Sequence, residues 1–296
     1  NLTGRYKCAI LKLNDTLFCL VYGASTFFPG HPQYFNEYVN YIKDSVGLYI
    51  SLIGISSING KPSFINGKKD LRINSLKIGD IIFHQNNDLS WWIVTEVNDK
   101  LYAYKIDKNA SISPPVISNL NELEINVDST IFNPRSSTMR FSHDGKLLLK
   151  FSYWTNKSQS VSQSAIYAYT FNENNGLFSN QILIEKNIVN HQFNFDCSDF
   201  VFSPNDSLFY IVFGNHPENK HLEQYQRFAQ DIKASAYPIN TQRYVQYAEL
   251  GQNSKIYLSI GDGDYSLIYY PNKVGEECKF LLNAVDINCN LSVSGN

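Results

Sequence analysis

The stretches FSHDGKLLLKF (residues 141–151) and FSPNDSLFYIVF (residues 202–213) each place a tight polar turn between two hydrophobic runs. The same design recurs in LKLNDTLFCLVY (11–22), FHQNNDLSWWIV (83–94) and LGQNSKIYLSI (250–260). The residue pairs at the five turns are Asn14-Asp15, Asn87-Asp88, Asp144-Gly145, Asn205-Asp206 and Asn253-Ser254. Asn, Asp and Gly tolerate the left-handed backbone that a two-residue hairpin turn requires. Five such copies predict five β-hairpins and a repeat architecture.

More strand-like sequence follows each hairpin, such as KLYAYKID (100–107) and AIYAYTFNENNGLF (165–178). The repeating unit therefore has three or four antiparallel strands. Placing such units side by side around an axis buries both faces of each sheet. We therefore predict an all-β chain, a β-propeller with about five blades, as one domain over residues 1–296. A two-sheet sandwich is the alternative, but it does not explain five copies in the same internal order.

The composition suits a large β-sheet protein and excludes some partners. Hydrophobic residues make up 43% of the chain and aromatic residues 14%, which favours strands with a sizeable core. A formal net charge of -2 argues against a nucleic-acid partner. Runs of about 18 apolar residues are lacking, so we predict no membrane span. A signal-peptide pattern is also lacking, which we interpret as a processed or partial chain and not as a cytosolic origin.

An insertion from residue 24 to 43 interrupts the first repeat. Its residues Phe35, Tyr38, Val39 and Ile42 have helical spacing and predict a short amphipathic helix over residues 33–44. We consider this insertion a candidate interaction element. The candidate contact residues are Phe27, Phe28, His31, Tyr34 and Phe35.

The five cysteines favour an oxidising setting. Cys8 and Cys19 lie on the two arms of the first hairpin and could be cross-strand neighbours. Cys278 and Cys289 bracket a short part of the C-terminal segment at residues 273–296. Two disulfides of this kind, with the fifth cysteine left over, are typical of extracytoplasmic proteins. Five buried free thiols are the alternative, because cysteine also behaves as a small hydrophobic residue.

FSPNDSLFYIVF and the closing run SLIYYPNKVGEECKFLLNAVDINC (266–289) resemble a known family. It comprises the secreted WD40-like β-propeller regions of Bacteroidota cell-surface proteins, often associated with type IX secretion or gliding motility. The last repeat has the family's leucine-glycine turn, K-I-Y, P-N, V-G-x-x-C and second cysteine. The resemblance covers nearly the whole chain and implies further blades upstream of the first hairpin.

The resemblance also implies a function. It suggests a non-enzymatic propeller for adhesion or protein interaction, outside the cell or on the outer-membrane surface. Its partners would be other cell-surface or outer-membrane proteins, or surface glycans. A related reading makes the chain a subunit of a type IX secretion or gliding assembly, with residues 24–43 as its docking element.

The residues themselves offer little catalytic chemistry. The chain has no G-x-S-x-G motif, and its six histidines form no H-x-x-x-H pair. We interpret residues 216–221 and 261–264 as plain loops and not as metal loops, and residues 122–128 as a solvated connector. The sequence thus predicts no catalytic, cofactor or metal site, and no enzyme.

A different class of function stays open beside the scaffold. This alternative is a propeller-fold glycan hydrolase or lyase, with its site at the central channel. The lining of that channel separates the two hypotheses, because convergent Asp, Glu or His side chains would favour an enzyme.

Three short motifs predict a surface modification. Asp-Ser/Thr-aliphatic triplets resemble the O-glycosylation acceptor of Bacteroidota. The candidate acceptor residues are Thr16, Ser45 and Ser207.

Overall fold

The computed structural model describes ten segments of the chain. They are residues 8–24, 47–57, 60–75, 79–97, 99–120, 138–156, 161–190, 196–215, 221–260 and 264–286. The predicted helix at 33–44, the candidate contact residues at 27–35 and Ser45 lie outside these segments. Regular structure within them is strand, apart from two short 3-10 turns at Lys233–Ser235 and Gly275–Cys278. The predicted all-β class is confirmed.

The strands form five antiparallel sheets, labelled A to E in chain order. Sheet A contains β1 (Cys8–Lys12), β2 (Leu17–Ala24), β3 (Gly47–Ile55), β4 (Pro62–Phe64) and β5 (Leu71–Asn74). Sheet B contains β6 (Ile81–Gln85), β7 (Trp91–Glu96), β8 (Lys100–Ile106) and β9 (Val116–Asn119). Sheet C contains β10 (Thr138–Phe141), β11 (Leu147–Asn156), β12 (Val161–Asn172) and β13 (Leu177–Asn190). Sheet D contains β14 (Asp196–Phe202), β15 (Leu208–Asn215), β16 (Leu222–Gln226) and β17 (Tyr237–Pro238). Sheet E contains β18 (Val245–Leu250), β19 (Ile256–Ile260), β20 (Asp264–Ile268) and β21 (Phe280–Asp286).

Four of the five sheets follow the same plan. In sheets B to E the four strands pair with their sequence neighbours, so each sheet is a simple antiparallel meander. Sheet A departs from the plan because β3 pairs with both β4 and β5. The recurring plan agrees with the repeated sequence design.

The chain divides into two compact units. The first contains sheets A and B together with the end of the β12–β13 hairpin, residues 169–181. The second contains the rest of sheet C and all of sheets D and E.

The core of the first unit joins sheets A and B. Buried residues Leu11, Val21 and Ile50 of sheet A belong to one cluster with Ile93 and Ile106 of sheet B. Full burial of each such side chain contributes roughly 1.5–3 kcal/mol.

Sheet D is buried on both faces within the second unit. Phe200 and Phe209 pack in one cluster with Leu149 of sheet C. Their sequence neighbours Val201 and Leu208 belong to a second cluster, shared with sheet E. Because alternate residues of a strand point to opposite faces, burial on both sides explains the nearly continuous hydrophobic run of β15.

The structure confirms a hairpin at each of the five predicted positions. The predicted two-residue turns are wrong, because four of the loops contain five residues. In each, the fourth residue has a positive φ and donates its N–H to the carbonyl of the first. These fourth residues are Leu89, Gly145, Asp206 and Ser254, with φ values of 66°, 67°, 56° and 60°.

Side chains of the third loop residue explain the added length. The oxygens of Asp88, Asp144, Asn205 and Asn253 each accept the backbone N–H two residues further along. This local hydrogen bond competes with the strand ladder and ends it earlier than a two-residue turn would.

The predicted Cys8–Cys19 disulfide is wrong. The ladder pairs Cys8 with Tyr22 and Cys19 with Leu11, so three positions separate the two cysteines along the hairpin. That is about 10 Å along a strand, which is too far for a disulfide. Cys19 is a buried free thiol, and burial raises its pKa to about 12.

The second predicted disulfide involves a residue outside the described segments. Cys278 is a buried free thiol in the structure, and burial raises its pKa to about 11. Its expected partner, Cys289, lies beyond residue 286. The Cys278–Cys289 bridge therefore stays a prediction.

Candidate functional site

An open cleft of about 390 Å³ lies in the second unit, where β10, β14 and β18 end. Strand β14 contacts both of the other two strands, so the cleft is built on three successive sheets. Its volume is within the range of about 300–1,000 Å³ that small-molecule sites occupy. The lining residues are Arg140, Phe141, His143, Val201, Phe202, Glu249, Leu250, Gly251 and Gln252.

Charged side chains from the three strands meet beside this cleft. Arg140 lies on β10, Asp199 on β14 and Glu249 on β18. The Nη2 atom of Arg140 is 3.3 Å from Asp199 Oδ1 and 3.4 Å from Glu249 Oε2. Because the same nitrogen contacts both oxygens, the distance between Asp199 Oδ1 and Glu249 Oε2 is at most the sum of the two contact distances.

The two carboxylates differ in their surroundings. The Asp199 side chain is 14% exposed and stands behind Arg140, whereas the Glu249 side chain is 73% exposed on the cleft wall. Burial raises the pKa of Asp199 above its ordinary value. Arg140 and the backbone N–H groups of Phe200 and Ala248 oppose that rise without cancelling it. The site thus combines a buried carboxyl group whose pKa is raised with a carboxyl group exposed at the cleft.

His143 forms the next part of the cleft wall and is held by a buried aspartate. Its Nδ1 is 2.6 Å from Asp206 Oδ1, which also accepts the backbone N–H of His143. The other oxygen of Asp206 accepts the backbone N–H of Asp144. Asp206 itself lies at the left-handed position of the β14–β15 loop. One carboxylate therefore fixes the β10–β11 loop against the β14–β15 loop.

The shared hydrogen bonds change the pKa values of both partners. The bond to Asp206 raises the pKa of His143, and partial burial opposes this. Burial would raise the pKa of Asp206, but the ring and the backbone N–H groups of residues 143 and 144 hold it below the ordinary value. The pair therefore favours an ionised aspartate beside a protonated histidine.

Arg227 completes the connection between the two loops. Its side chain is only 7% exposed and lies 3.0 Å from Asp144 and 3.8 Å from Asp206. Charge-assisted contacts of this kind are stronger than neutral hydrogen bonds. We call Asp206, His143, Asp144 and Arg227 the charged junction. It positions the His143 side of the cleft.

The predicted modification residues lie elsewhere. Thr16 is exposed in the first hairpin loop, where its Oγ1 lies 3.2 Å from Asn14 Oδ1. Ser207 is half-buried, and its Oγ donates to Asn205 Oδ1 at 2.7 Å. Glycosylation of either residue stays a prediction.

Sequence reasoning proposed no site residue in the cleft, although the stretches quoted from residues 141, 202 and 250 include part of its lining. Arg140 and Glu249 each stand two residues before a hairpin loop. An alignment of the five copies on their first strands would have shown two charged residues at this equivalent position. Asp199 offers no such signal, because it lies four residues before its loop.

The described segments contain no group of three or more His, Cys, Asp or Glu residues arranged to hold a metal ion. They also contain no helix long and apolar enough to cross a membrane.

Comparison with known proteins gives matches only at the level of structure. No protein-family model matches the sequence, and no curated protein matches it. The chain is similar to a candidate 6-phosphogluconolactonase from Bacteroides uniformis, with 11% identity and a TM-score of 0.46. The similarity covers 87% of this chain and 65% of that one, so this chain spans less than two thirds of its length.

Two fungal structures are also similar. One is an α-L-arabinanase of Penicillium chrysogenum, with 9% identity, a TM-score of 0.43 and coverage of 88% of this chain and 77% of that one. The other is a GH93 α-L-arabinofuranosidase of Fusarium graminearum, with 9% identity, a TM-score of 0.45 and coverage of 91% and 79%.

The prediction that the chain is not an enzyme is contradicted by these comparisons, since the similar structures are named as enzymes. It is therefore not retained. Identities of 9–11% and TM-scores below 0.5 assign no reaction to this chain. A function has to be argued from the residues of the cleft.

Proposed function

We propose that this protein is a glycan-active hydrolase of the propeller type, with the cleft between β10, β14 and β18 as its active site. The observation that carries the proposal is the meeting of a buried and an exposed carboxylate, Asp199 and Glu249, at one arginine. Convergent carboxylates are the feature that separates an enzyme from a scaffold in this fold.

Recurring contacts between successive sheets support the propeller arrangement. In the first unit, Asn14 of a sheet A hairpin loop donates to the Lys108 carbonyl, in the loop between β8 and β9. In the second unit, Asn205 of a sheet D hairpin loop donates to Asn272, in the loop between β20 and β21. The same two kinds of loop meet each time, as expected for consecutive blades. An experimental structure tests whether the blades close into a ring.

The two carboxylates suit the two roles in glycoside hydrolysis. Such enzymes need one protonated carboxyl as an acid and one ionised carboxylate as a nucleophile or base. Pairs of acids in different environments divide these roles. Asp199, with its raised pKa, is the proton donor to the glycosidic oxygen. Glu249, exposed at the cleft, is the carboxylate that faces the anomeric carbon.

The spacing favours a retaining reaction. Carboxyl groups are about 5–5.5 Å apart in retaining enzymes and about 6.5–9.5 Å apart in inverting ones. The contacts with Arg140 set an upper limit on the distance between the nearest Asp199 and Glu249 oxygens, and this limit reaches only the lower end of the inverting range. Glu249 would form an ester to the anomeric carbon while Asp199 protonates the departing oxygen. The Asp199 carboxylate would then take a proton from water, whose hydroxyl displaces Glu249.

The other lining residues have supporting roles. Arg140 contacts both carboxyl groups and holds them in place. Phe141, which is partly buried, provides an apolar surface for the carbon-bound hydrogens of a sugar ring, whereas Phe202 is buried in the core.

Release of reducing ends tests the proposed reaction. The purified protein would be incubated with arabinan, β-1,3-galactan and a panel of neutral and acidic polysaccharides. We expect hydrolysis of at least one, with a loss of about 10²–10⁴-fold in Glu249→Gln and Asp199→Asn, because the first removes the nucleophile and the second the general acid. Glu277→Gln, an equally exposed glutamate of the same unit, is the matched control and should retain activity. Full activity in Glu249→Gln, or no hydrolysis of any polysaccharide by the wild type, would reject the proposal.

We also propose a secreted, cell-surface location, with surface glycans as the binding partners. The sequence resemblance to Bacteroidota propellers supports this proposal. Cell fractionation tests it, and recovery of the native protein in the cytoplasm would contradict it.

A further inference from the structure

An exposed tyrosine lies on the same strand as the proposed catalytic glutamate. Tyr247 is 56% exposed and stands two residues before Glu249 on β18. Between them, Ala248 is buried in the cluster that sheet E shares with sheet D. Because successive side chains of a strand alternate between faces, Tyr247 and Glu249 share the face opposite that cluster.

The spacing along β18 fits a chain of sugars. Two residues of a strand span about 6.6 Å, comparable with one ring of a linear glycan. A ring bound at Glu249 would therefore place its neighbour over Tyr247. The residues opposite in the ladder, Ser259 and Tyr257, are both only partly buried, so this face of sheet E is accessible.

Tyrosine is well suited to this role. Its ring offers a flat apolar face, and its hydroxyl group stays hydrated. It loses little conformational entropy on binding, since it has only two side-chain torsions. A second exposed tyrosine, Tyr244, lies just before β18, with its hydroxyl 3.5 Å from Ser198 Oγ and its ring at the edge of His221. These contacts place Tyr244 against sheet D, so it is not part of the face that Tyr247 shares with Glu249.

We propose that Tyr247 is a stacking platform for the sugar next to the cleaved bond, and that the substrate is a linear oligo- or polysaccharide. This inference rests on the proposed function and adds a substrate class to it. It assigns the face of β18 to a glycan chain. The alternative is that another β-sheet packs on that face. Packing of that kind would need only an apolar side chain of similar size at position 247, not an aromatic ring.

Binding to an inactive variant tests the platform without hydrolysis. In the Glu249→Gln background, affinities would be measured by calorimetry for linear arabino- and galacto-oligosaccharides of two to five units. We expect the unit that reaches Tyr247 to tighten binding by about tenfold. Adding Tyr247→Ala should abolish that gain, whereas Tyr247→Phe should retain it. Tyr270→Ala, at an equally exposed tyrosine of the same unit, is the matched control.

A leucine variant separates sugar stacking from sheet packing. Tyr247→Leu keeps an apolar side chain but loses the flat ring, so it should lose the length-dependent gain while keeping the melting temperature. Three results would overturn the proposal. They are an affinity of Glu249→Gln that does not change with oligosaccharide length, no binding of any of these oligosaccharides, or a length-dependent gain that persists when Tyr247→Ala is added.

The outcomes distinguish this inference from the proposed reaction. If Tyr247-dependent binding persists but the wild type hydrolyses nothing, the platform stands and the reaction fails. If hydrolysis depends on Glu249 but Tyr247→Ala leaves KM unchanged for every chain length, the reaction stands and the platform fails.

Discussion

Two junctions between successive sheets use different chemistry for the same task. In the first unit, Trp92 of β7 packs edge-on against Phe171, with ring centroids 5.6 Å apart, and its Nε1 donates to the Glu173 carbonyl at 2.9 Å. In the second unit, the charged junction joins the β10–β11 and β14–β15 loops through Asp206 and Arg227. We call the Trp92 contacts the aromatic junction.

The difference between the two junctions indicates where a functional site can arise in a repeat protein. The aromatic junction removes apolar area from water, which depends little on pH or salt. The charged junction depends on the protonation of Asp206 and His143, and His143 forms part of the cleft wall. Either junction can stabilise the contact between two sheets, but only the charged junction also presents an ionisable group to a ligand.

Loss of the aromatic junction should have the largest effect on stability. Trp92→Ala removes a buried indole and its hydrogen bond, so we expect the free energy of unfolding to fall by about 4 kcal/mol. Urea unfolding at pH 5 and pH 8 measures it, and the loss should be the same at both. A loss that depends strongly on pH would remove the contrast between the two junctions.

Loss of the charged junction should have a somewhat smaller effect on stability. Asp206→Ala removes one of the two carboxylates that Arg227 contacts within the described segments and frees two backbone N–H groups, which should cost about 3 kcal/mol. Thermal and urea unfolding measure this cost. Asp15→Asn, at a fully exposed hairpin aspartate, should change the free energy by less than about 0.5 kcal/mol. Equal effects of the two substitutions would show that Asp206 is an ordinary turn residue.

The smallest expected effect is a pH dependence of stability that His143 provides. Its raised folded pKa means that its contribution is complete below its ordinary pKa of 6.5 and is lost as pH rises through the folded value. Asp206, with its lowered pKa, contributes above 3.8 and loses its contribution as pH falls through its folded value. The charged groups that act on the His143 ring are Asp206, Asp144 and Arg140.

His143→Gln should flatten the alkaline side of this profile. Because the ring is half exposed, solvent screening limits the change to about 0.5–1 kcal/mol. Unfolding measured from pH 5 to 9 shows it as a difference between variant and wild type. Parallel profiles for the two proteins would mean that the histidine carries no charge-dependent stability.

The fold was predictable where local chemistry decides it. FSPNDSLFYIVF contains both the turn signal and a run whose burial on two faces required hydrophobic residues at every position. Loop length was not predictable from the turn pair, because it depends on hydrogen bonds from side chains such as Asp144 and Asn205. In the first hairpin, the register pairs Cys8 with Tyr22 and Cys19 with Leu11, which keeps the two cysteines apart.

The cleft was much less predictable. Arg140, Asp199 and Glu249 come from three sheets, and only the packing of β10, β14 and β18 brings them together. Asp206 was interpreted as a turn residue, and the sequence offers no sign that its carboxylate binds the preceding sheet. Local pattern thus predicts strands and turns, whereas the site depends on long-range packing.

The central claim is that Asp199 and Glu249 act on one glycosidic bond. A crystal structure of Glu249→Gln with a bound arabino- or galacto-oligosaccharide tests it most directly. We predict that the glycosidic oxygen lies about 3 Å from Asp199, a hydrogen-bonding distance, and that the anomeric carbon faces residue 249. An oligosaccharide bound elsewhere, or an Asp199 that stays behind Arg140 out of reach of the sugar, would contradict the claim.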